Sequence, residues 1–304
     1  MKAIQYSRFG GPEVLELVEL PDPEPGSGQV RVAVRAAAIN PIDWKVRSGM
    51  MGGELPQRTG REVAGVVDRL GAGVSDAAPG DRVFGFVAGG GGAADFAVLS
   101  DYAPIPGTLD FSEAAGLPVA VETAVRTLDL LAVGAGTTLL VNGAAGGVGS
   151  SAVQIARARG ARVIGTASRG NHDYLRGLGA EPISYGEGLV ERVRGLAPGG
   201  VDAALDAAGS GVLPELVELA GGPEHVVTIA DYAGAEQTGV RFSGGMGTQR
   251  AVHALRDIGA LIESGQFSLP VAQTFPLEQI AEAHRLSESG HVRGKLVLVL
   301  NPGE

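Results

Sequence analysis

The chain of 304 residues contains no cysteine. That absence removes disulfides, thiolate nucleophiles, cysteine-rich zinc lobes and iron–sulfur clusters in one step. Aromatic residues are scarce, at 5%, with a single tryptophan, Trp44. No apolar run approaches the roughly 18 residues of a membrane span. A basic excess is missing too: 24 Lys and Arg stand against 34 Asp and Glu, a net charge of −10. That balance disfavours nucleic acid and anionic membrane surfaces as partners. The start, Met1–Tyr6, reads as a strand without the apolar stretch and cleavage site of a signal peptide, so a cytoplasmic location is expected. The histidines (His172, His225, His253, His284, His291) are scattered, with no pair at a metal spacing, and read as structural or solvated.

Glycine, by contrast, is abundant, at 49 residues, and hydrophobic content is an ordinary 44%. The length suggests about two domains. Residues 1 to about 117 alternate apolar and polar side chains in short runs, at Val14–Leu20, Val30–Val34, Val63–Val67 and Val83–Val87. Gly71-Ala72-Gly73 and Pro79-Gly80-Asp81 punctuate them as turns, which suggests a small barrel or sandwich. Gly89–Gly92 reads as a flexible connector. From Pro118 the texture changes to strands alternating with helices, the signature of a parallel sheet with crossover helices. Strands are expected at Arg162–Ala167, Val201–Leu205 and His225–Ile229. Helices are expected at Asn171–Leu178, Leu189–Leu196, Leu213–Leu219 and Gln249–Ser264. A last helix, Gln279–Ser289, precedes a final strand, Lys295–Leu300.

One stretch organises the whole. The β-type run Thr137–Val141 breaks into Asn142-Gly143-Ala144-Ala145-Gly146-Gly147-Val148-Gly149, after which Val148, Ala152, Ile155 and Ala156 recur at helical spacing. Strand, glycine turn and helix form the context of a dinucleotide-binding fingerprint. Bare backbone lets a pyrophosphate approach, and the helix N-terminus supplies unpaired N–H groups. Ala144 stands where the usual pattern has its first glycine.

Four segments resemble the zinc-independent quinone oxidoreductases of the medium-chain dehydrogenase/reductase superfamily. They are Ala38-Ile39-Asn40-Pro41-Ile42-Asp43-Trp44-Lys45-Val46-Arg47-Ser48-Gly49, then Gly60–Val67 with Gly80-Asp81-Arg82-Val83, the glycine turn Asn142–Gly149, and Gly294-Lys295-Leu296-Val297-Leu298. The resemblance runs in order over nearly the whole chain. It implies an α/β fold: a GroES-like β-rich catalytic domain from residues 1–117 and 267–304, and a Rossmann doubly wound parallel sheet from 118–266, with the active site in the cleft. It further implies a homodimer. Gly244-Gly245-Met246-Gly247 departs from the more apolar run of the family, which puts the dimer edge and a substrate lid in question.

In the zinc-dependent relatives the position of Asn40 is a Cys ligand and that of Arg61 a His ligand. Asn is a poor zinc ligand and a cationic Arg cannot be one, so no metal is expected. NAD-specific sites place an acid at the end of the second strand, on the ribose 2′-hydroxyl. Here that strand ends Gly165-Thr166-Ala167-Ser168-Arg169-Gly170-Asn171, with no acid before Asp173. Ser168 and Arg169 suit a 2′-phosphate, so NADPH is the expected cofactor. Tyr185 resembles a family tyrosine over the adenosine-phosphate end, or packs on the sheet. The remaining cofactor-binding candidates are Thr123, near the nicotinamide or its phosphate, Ala144, Gly146, Gly147 and Val148 of the turn, and Ile229 at a strand end.

The chain also lacks a Tyr followed four positions on by Lys: Tyr6, Tyr102, Tyr174, Tyr185 and Tyr232 have Gly, Pro, Leu, Leu and Glu there. Without metal, thiolate or that pair, ionising an ordinary alcohol is hard. Hydride addition to a quinone or an α,β-unsaturated carbonyl needs less activation, because the conjugated acceptor spreads the developing charge. Asn40 and Lys45 are the candidate catalytic hydrogen-bond donors. Asp43 reads as a cap after Pro41, Trp44 as pocket lining or core, and Glu62 as an ion pair with its neighbour Arg61. An enoyl reductase of a biosynthetic pathway and a non-catalytic NADPH-binding sensor are the alternatives.

Overall fold

The structure is a computed structural model and describes residues 1–244 and 248–300. Contacts divide the chain into two compact units. The first comprises Met1–Val119, Val252–Ser264 and the chain from Leu269 on; the second comprises Ala120–Ala251 and Gly265–Ser268.

The elements are, in chain order, β1 Lys2–Tyr6, β2 Glu16–Glu19, β3 Val30–Ile39, α1 Pro41–Arg47, β4 Gln57–Arg58, β5 Glu62–Leu70, β6 Arg82–Val87 and β7 Phe96–Pro104. Next come α2 Phe111–Ala115, α3 Leu117–Leu130, β8 Thr138–Asn142, α4 Gly147–Ala158, β9 Arg162–Thr166, α5 His172–Gly177, β10 Glu181–Ile183 and α6 Leu189–Leu196. The chain continues through β11 Ala203–Asp206, α7 Leu213–Ala220, β12 Val226–Thr228, α8 Tyr232–Thr238 and β13 Arg241–Phe242. It ends with α9 Ala254–Glu263, β14 Val271–Pro276, α10 Ile280–Glu288 and β15 Lys295–Val299.

In the first unit, β14, β15, β3, β5, β6 and β7 form one sheet in that order, and β7 pairs back onto β3, so the strands from β3 to β7 close on themselves. Closure covers the β7 edge and leaves β14 as the sheet edge. The alternating valines point inward: Val30, Val32, Val34, Val63, Val67, Val83 and Leu99 share one buried cluster with Leu296 and Leu298 of β15. Each such side chain contributes about 1.5–3 kcal/mol of burial. The loop Gly89–Gly92 is not a loose connector. The N–H groups of Gly91 and Gly92 both donate to the Gly60 carbonyl (2.9 Å each), and both residues are buried.

The second unit is a parallel sheet in the order β10-β9-β8-β11-β12-β13, with the direction of winding reversing between β8 and β11. This is the doubly wound arrangement, and its ligands bind outside the carboxyl ends of the strands at that reversal. Leu140, Ile164, Ala204 and Val226 of successive strands pack against Leu189, Val193, Leu213 and Leu216 of α6 and α7. The fold class expected from the sequence is the one found, α/β with a separate β-rich unit. Val252–Ser264, placed by sequence in the middle domain, groups with the first unit, where Arg256 of α9 pairs with Asp76 at 2.8 Å. Gly245, Met246 and Gly247 of the glycine segment lie outside the described residues.

Candidate functional site

The second unit brings the expected cofactor residues to one sheet edge. β8 ends at Asn142, and Gly143 turns the chain at φ +78°, a region that disfavours side chains; a Cβ there would also lie 2.8 Å from that of Ala208. Gly146 caps α4 with no side-chain acceptor, so the N–H groups of the first turn point out unpaired by side chains. A Cβ on Gly146 would meet nothing closer than the Gly143 carbonyl oxygen, at 3.6 Å. That bare, outward backbone fits a pyrophosphate. Gly147 and Val148 are half-exposed beside it. Ala144 is different: it is fully buried, and its N–H donates to the Thr166 carbonyl at 3.0 Å, so it shapes the turn from inside.

After β9, Ser168 and Arg169 are both exposed, and Ser168 Oγ accepts from Asn171 Nδ2 at 3.2 Å. Tyr185 is 57% exposed. Ile229 is half-exposed, its N–H fixed by the Asp206 carbonyl at 3.0 Å. Thr123 on α3 is buried beside an ion pair absent from the sequence reading. Arg126 Nε lies 2.7 Å from Glu122 Oε1, Arg126 also bonds Ser243, and Glu122 Oε1 accepts the Ala251 N–H at 3.0 Å. The i, i+4 spacing on a helix was the available signal.

The first unit assembles a second buried polar cluster. Asn40 follows β3 and caps α1. Its own N–H donates to Asp43 Oδ2 (2.8 Å), so Asp43 is the expected cap. Asn40 Nδ2 donates to Glu62 Oε1 (2.8 Å), while Lys295 Nζ on β15 donates to Asn40 Oδ1 (2.6 Å) and to Glu62 Oε1 (2.8 Å). The other Glu62 oxygen accepts the Val119 N–H at 2.6 Å. Glu62 therefore does not pair with Arg61. Adjacent residues entering a strand point to opposite faces, and Arg61, 44% exposed, lies 3.7 Å from Asp43 instead. Lys45 stands apart from this cluster, half-buried, with its ammonium 5.7 Å from the Trp44 ring. Trp44 is half-buried and its Nε1 has no hydrogen-bond partner among the described residues. Among the histidines only His284 is buried, and its Nδ1 lies 3.2 Å from Arg47 Nη1, consistent with a structural residue. A shallow hollow lined by Pro23, Glu24, Gln29, Arg58 and Phe96 involves none of the expected site residues.

Two buried groups in this unit oppose each other in pH. Burial raises the Asp43 carboxyl to about 6, against the lowering effects of the Asn40 N–H and Arg61. The folded protein thus holds this proton more tightly than the unfolded chain, and stability from this group grows as pH falls through 6 toward 4. His284 is lowered to about 3, by burial first and the Arg47 charge second. The unfolded chain protonates that imidazole near about 6.5, so stability is lost as pH falls below that value. Between pH 7 and 5 each group moves stability by about 1–2 kcal/mol, in opposite directions. Urea midpoints should show that Asp43→Asn steepens the loss on acidification and His284→Gln reduces or reverses it. Variants that both track the wild-type profile would sink this account.

Among the described residues no helix is long and apolar enough to cross a membrane, and no group of three or more His, Asp or Glu side chains is placed to hold a metal ion. A doubly wound sheet with a bare glycine turn at its reversal point defines the class of NAD(P)-dependent dehydrogenases. Comparison with known proteins narrows this. The alcohol dehydrogenase GroES-like domain matches residues 26–106 and the zinc-binding dehydrogenase domain residues 178–298. The chain is 34% identical to a quinone oxidoreductase of Rattus norvegicus, over 99% of this chain and 98% of that protein. It is 35% identical to the chloroplastic NADPH-dependent alkenal/one oxidoreductase of Arabidopsis thaliana, over 98% of this chain and 79% of that protein. It also matches the Streptomyces orinoci polyketide synthase protein NorB at 37%, over 96% of this chain but 14% of that protein. Among solved structures, the quinone oxidoreductase of Coxiella burnetii superposes with a TM-score of 0.86 at 33% identity, over 99% of both chains. An NAD-dependent alcohol dehydrogenase gives 0.86 at 33%, over 99% of this chain and 100% of that one. A mycobacterial protein complexed with NADPH gives 0.84 at 27%, over 99% and 100%. The chain belongs to the medium-chain dehydrogenase/reductase superfamily, in its zinc-independent quinone oxidoreductase type, and is an oxidoreductase.

Proposed function

We propose that this protein is an NADPH-dependent reductase of quinones or α,β-unsaturated carbonyls that works without a metal ion. The observation that carries the reading is the Asn40–Glu62–Lys295 cluster. The ammonium of Lys295 already sits on the Asn40 and Glu62 oxygens, so these donors present a cation of their own rather than a vacancy for zinc. A site so built can hydrogen-bond a developing oxyanion, which is what reduction of a conjugated carbonyl asks of it. Bound NADPH supplies the hydride. Asn40 Nδ2 has one N–H on Glu62 and one left for the acceptor oxygen, and the Lys295 charge on its Oδ1 strengthens that donor. Lys45, whose ammonium forms no ion pair among the described residues, is the second proposed donor. Gly146, Gly147 and Val148 hold the pyrophosphate, with Ala144 supporting the turn from within. Ser168, Arg169 and Tyr185 take the 2′-phosphate end, and Thr123 and Ile229 the nicotinamide side. A homodimer, checked by sedimentation, belongs to the same reading.

The test is NADPH oxidation, followed by absorbance, against benzoquinone, a naphthoquinone, a 2-alkenal and a cyclic enone, with NADH and a chelator-treated sample in parallel. NADPH should be preferred and chelation should change nothing. Arg169→Ala should weaken NADPH about tenfold, or roughly 1.4 kcal/mol, while leaving NADH unchanged. A wild-type preference for NADH would overturn the Ser168/Arg169 assignment, and loss of activity on chelation would overturn the metal-free mechanism. The match to a polyketide synthase supports one second reading, an enoyl reductase acting on a carrier-bound chain. Silence across the panel with NADPH still bound would favour that reading or a sensor.

A further inference from the structure

The last residues of four neighbouring strands form one continuous polar chain across the carboxyl edge of the parallel sheet. Thr166 of β9 donates from Oγ1 to Asn142 Oδ1 of β8 at 2.7 Å. Asn142 Nδ2 donates to Asp206 Oδ1 of β11 at 2.9 Å, across the point where the winding reverses. Thr228 Oγ1 of β12 donates to Asp206 Oδ2 at 2.7 Å. All four side chains are buried. A buried polar row is costly unless every group is satisfied, and apolar residues at the same positions would hold the sheet as well.

What the row adds is control of the loops. Thr166 Oγ1 accepts the Gly143 N–H (3.0 Å). Asp206 Oδ1 accepts those of Ala208 (3.1 Å) and Gly209 (2.8 Å). Thr228 Oγ1 accepts those of Ala230 and Asp231 (3.1 Å each). The direction of every bond follows from Asp206, because a carboxylate accepts at both oxygens and donates nowhere. Asn142 must turn its NH₂ toward Asp206 and its oxygen toward Thr166. Thr166 must then donate to that oxygen, which leaves its lone pairs for Gly143. Thr228 must donate to Asp206, which leaves its lone pairs for the loop after β12.

We propose that Asp206 is a positioning residue for the dinucleotide. Acting through Asn142 and Thr228, it sets the pyrophosphate turn at Gly143–Gly146 and the loop 229–231 together, so that both halves of the cofactor meet a preformed edge. The inference rests on the NADPH reading above. An amide at 206 cannot reproduce the order: turned one way, its NH₂ faces the Asn142 NH₂ and the Ala208 and Gly209 N–H groups, and turned the other way it competes for the Thr228 lone pairs that accept from Ala230 and Asp231.

The decisive measurement is the NADPH dissociation constant of the intact protein and of Asp206→Asn, Thr228→Val and Thr228→Ser, with hydrogen exchange on the cofactor-free forms. Asp206→Asn and Thr228→Val should weaken NADPH about tenfold and speed exchange in both 143–149 and 229–231. Thr228→Ser, which keeps the hydroxyl, should bind within about twofold of wild type. These margins correspond to loss or retention of a single hydrogen bond. A wild type that binds NADPH with Asp206→Asn and Thr228→Val binding it equally well would overturn the positioning role alone, as would lowered stability with an unchanged dissociation constant. A wild type that binds neither NADPH nor NADH would overturn the cofactor reading and this role with it.

Discussion

Replacing Lys295 with alanine is expected to cost about 3–5 kcal/mol of unfolding free energy, the usual penalty for stripping one partner from a buried ion pair. Glu62 is fully buried and Lys295 is 5% exposed, so the carboxylate is shielded from bulk solvent that would otherwise stabilise it. The carboxylate would keep the Val119 N–H and one N–H of Asn40, and would lose the cation that pairs with it among the described residues, since Arg61 pairs with Asp43. The loss of packing adds to this. The lysine stem runs over Gly116, where a Cβ would lie 3.0 Å from Lys295 Cγ, and alanine would leave that path empty. The double variant Lys295→Met with Glu62→Gln should recover much of the stability, because it removes the stranded charge along with the cation. Urea midpoints at constant slope measure both effects. A single variant within about 1 kcal/mol of wild type would overturn the buried ion pair as a stabilising contact. The same substitution frees the Asn40 amide to rotate, so turnover should fall further than NADPH binding does.

This cluster also marks where sequence reading stops. Asn40 and Lys295 both stood in recognisable segments, but the bond between them spans 255 positions and depends on β15 pairing with β3 beside Ile39. No local pattern encodes that pairing. Adjacency, which is what a sequence displays, suggests Arg61 as the partner of Glu62, while the strand turns the two side chains apart. Local periodicity served far better for the strand–turn–helix at Thr138–Ala158 and for α6, whose bounds Leu189–Leu196 agree with its apolar spacing. The strands β10 and β13 carry too few residues to show a period, and α8, with Ala235 as its one buried side chain, shows no apolar face in the sequence. The polar row Thr166–Asn142–Asp206–Thr228 was hidden for the same reason as Lys295. Asp206 is legible in the sequence as a carboxyl strand end, where open α/β sheets bind ligands, but only the register of four strands makes Thr166, Asn142, Asp206 and Thr228 neighbours.

The glycine turn allows a sharper separation of roles than the motif suggests. A Cβ on Gly149 would collide with the Gly143 carbonyl oxygen and lie 2.8 Å from Ala144 Cα. Both obstacles are backbone, held by the bonds of Gly143 and Ala144 to Thr166, so neither can yield cheaply. Gly149→Ala is therefore expected to destabilise the second unit by about 3 kcal/mol or more, as overpacking against fixed backbone does. It should weaken NADPH as a consequence of the displaced turn. Gly146 presents the opposite case. Its φ of −75° and ψ of 173° suit alanine, and its Cβ would have open space. Gly146→Ala should leave the urea midpoint close to wild type while weakening NADPH by about tenfold to a hundredfold, or roughly 1.4–2.7 kcal/mol, because the methyl group takes the space the pyrophosphate needs. Titrating both variants with NADPH beside their unfolding curves gives the answer. If Gly146→Ala binds the nucleotide as wild type does, the bare backbone at 146 does not face the phosphates, and the anion must sit further along the first turn of α4.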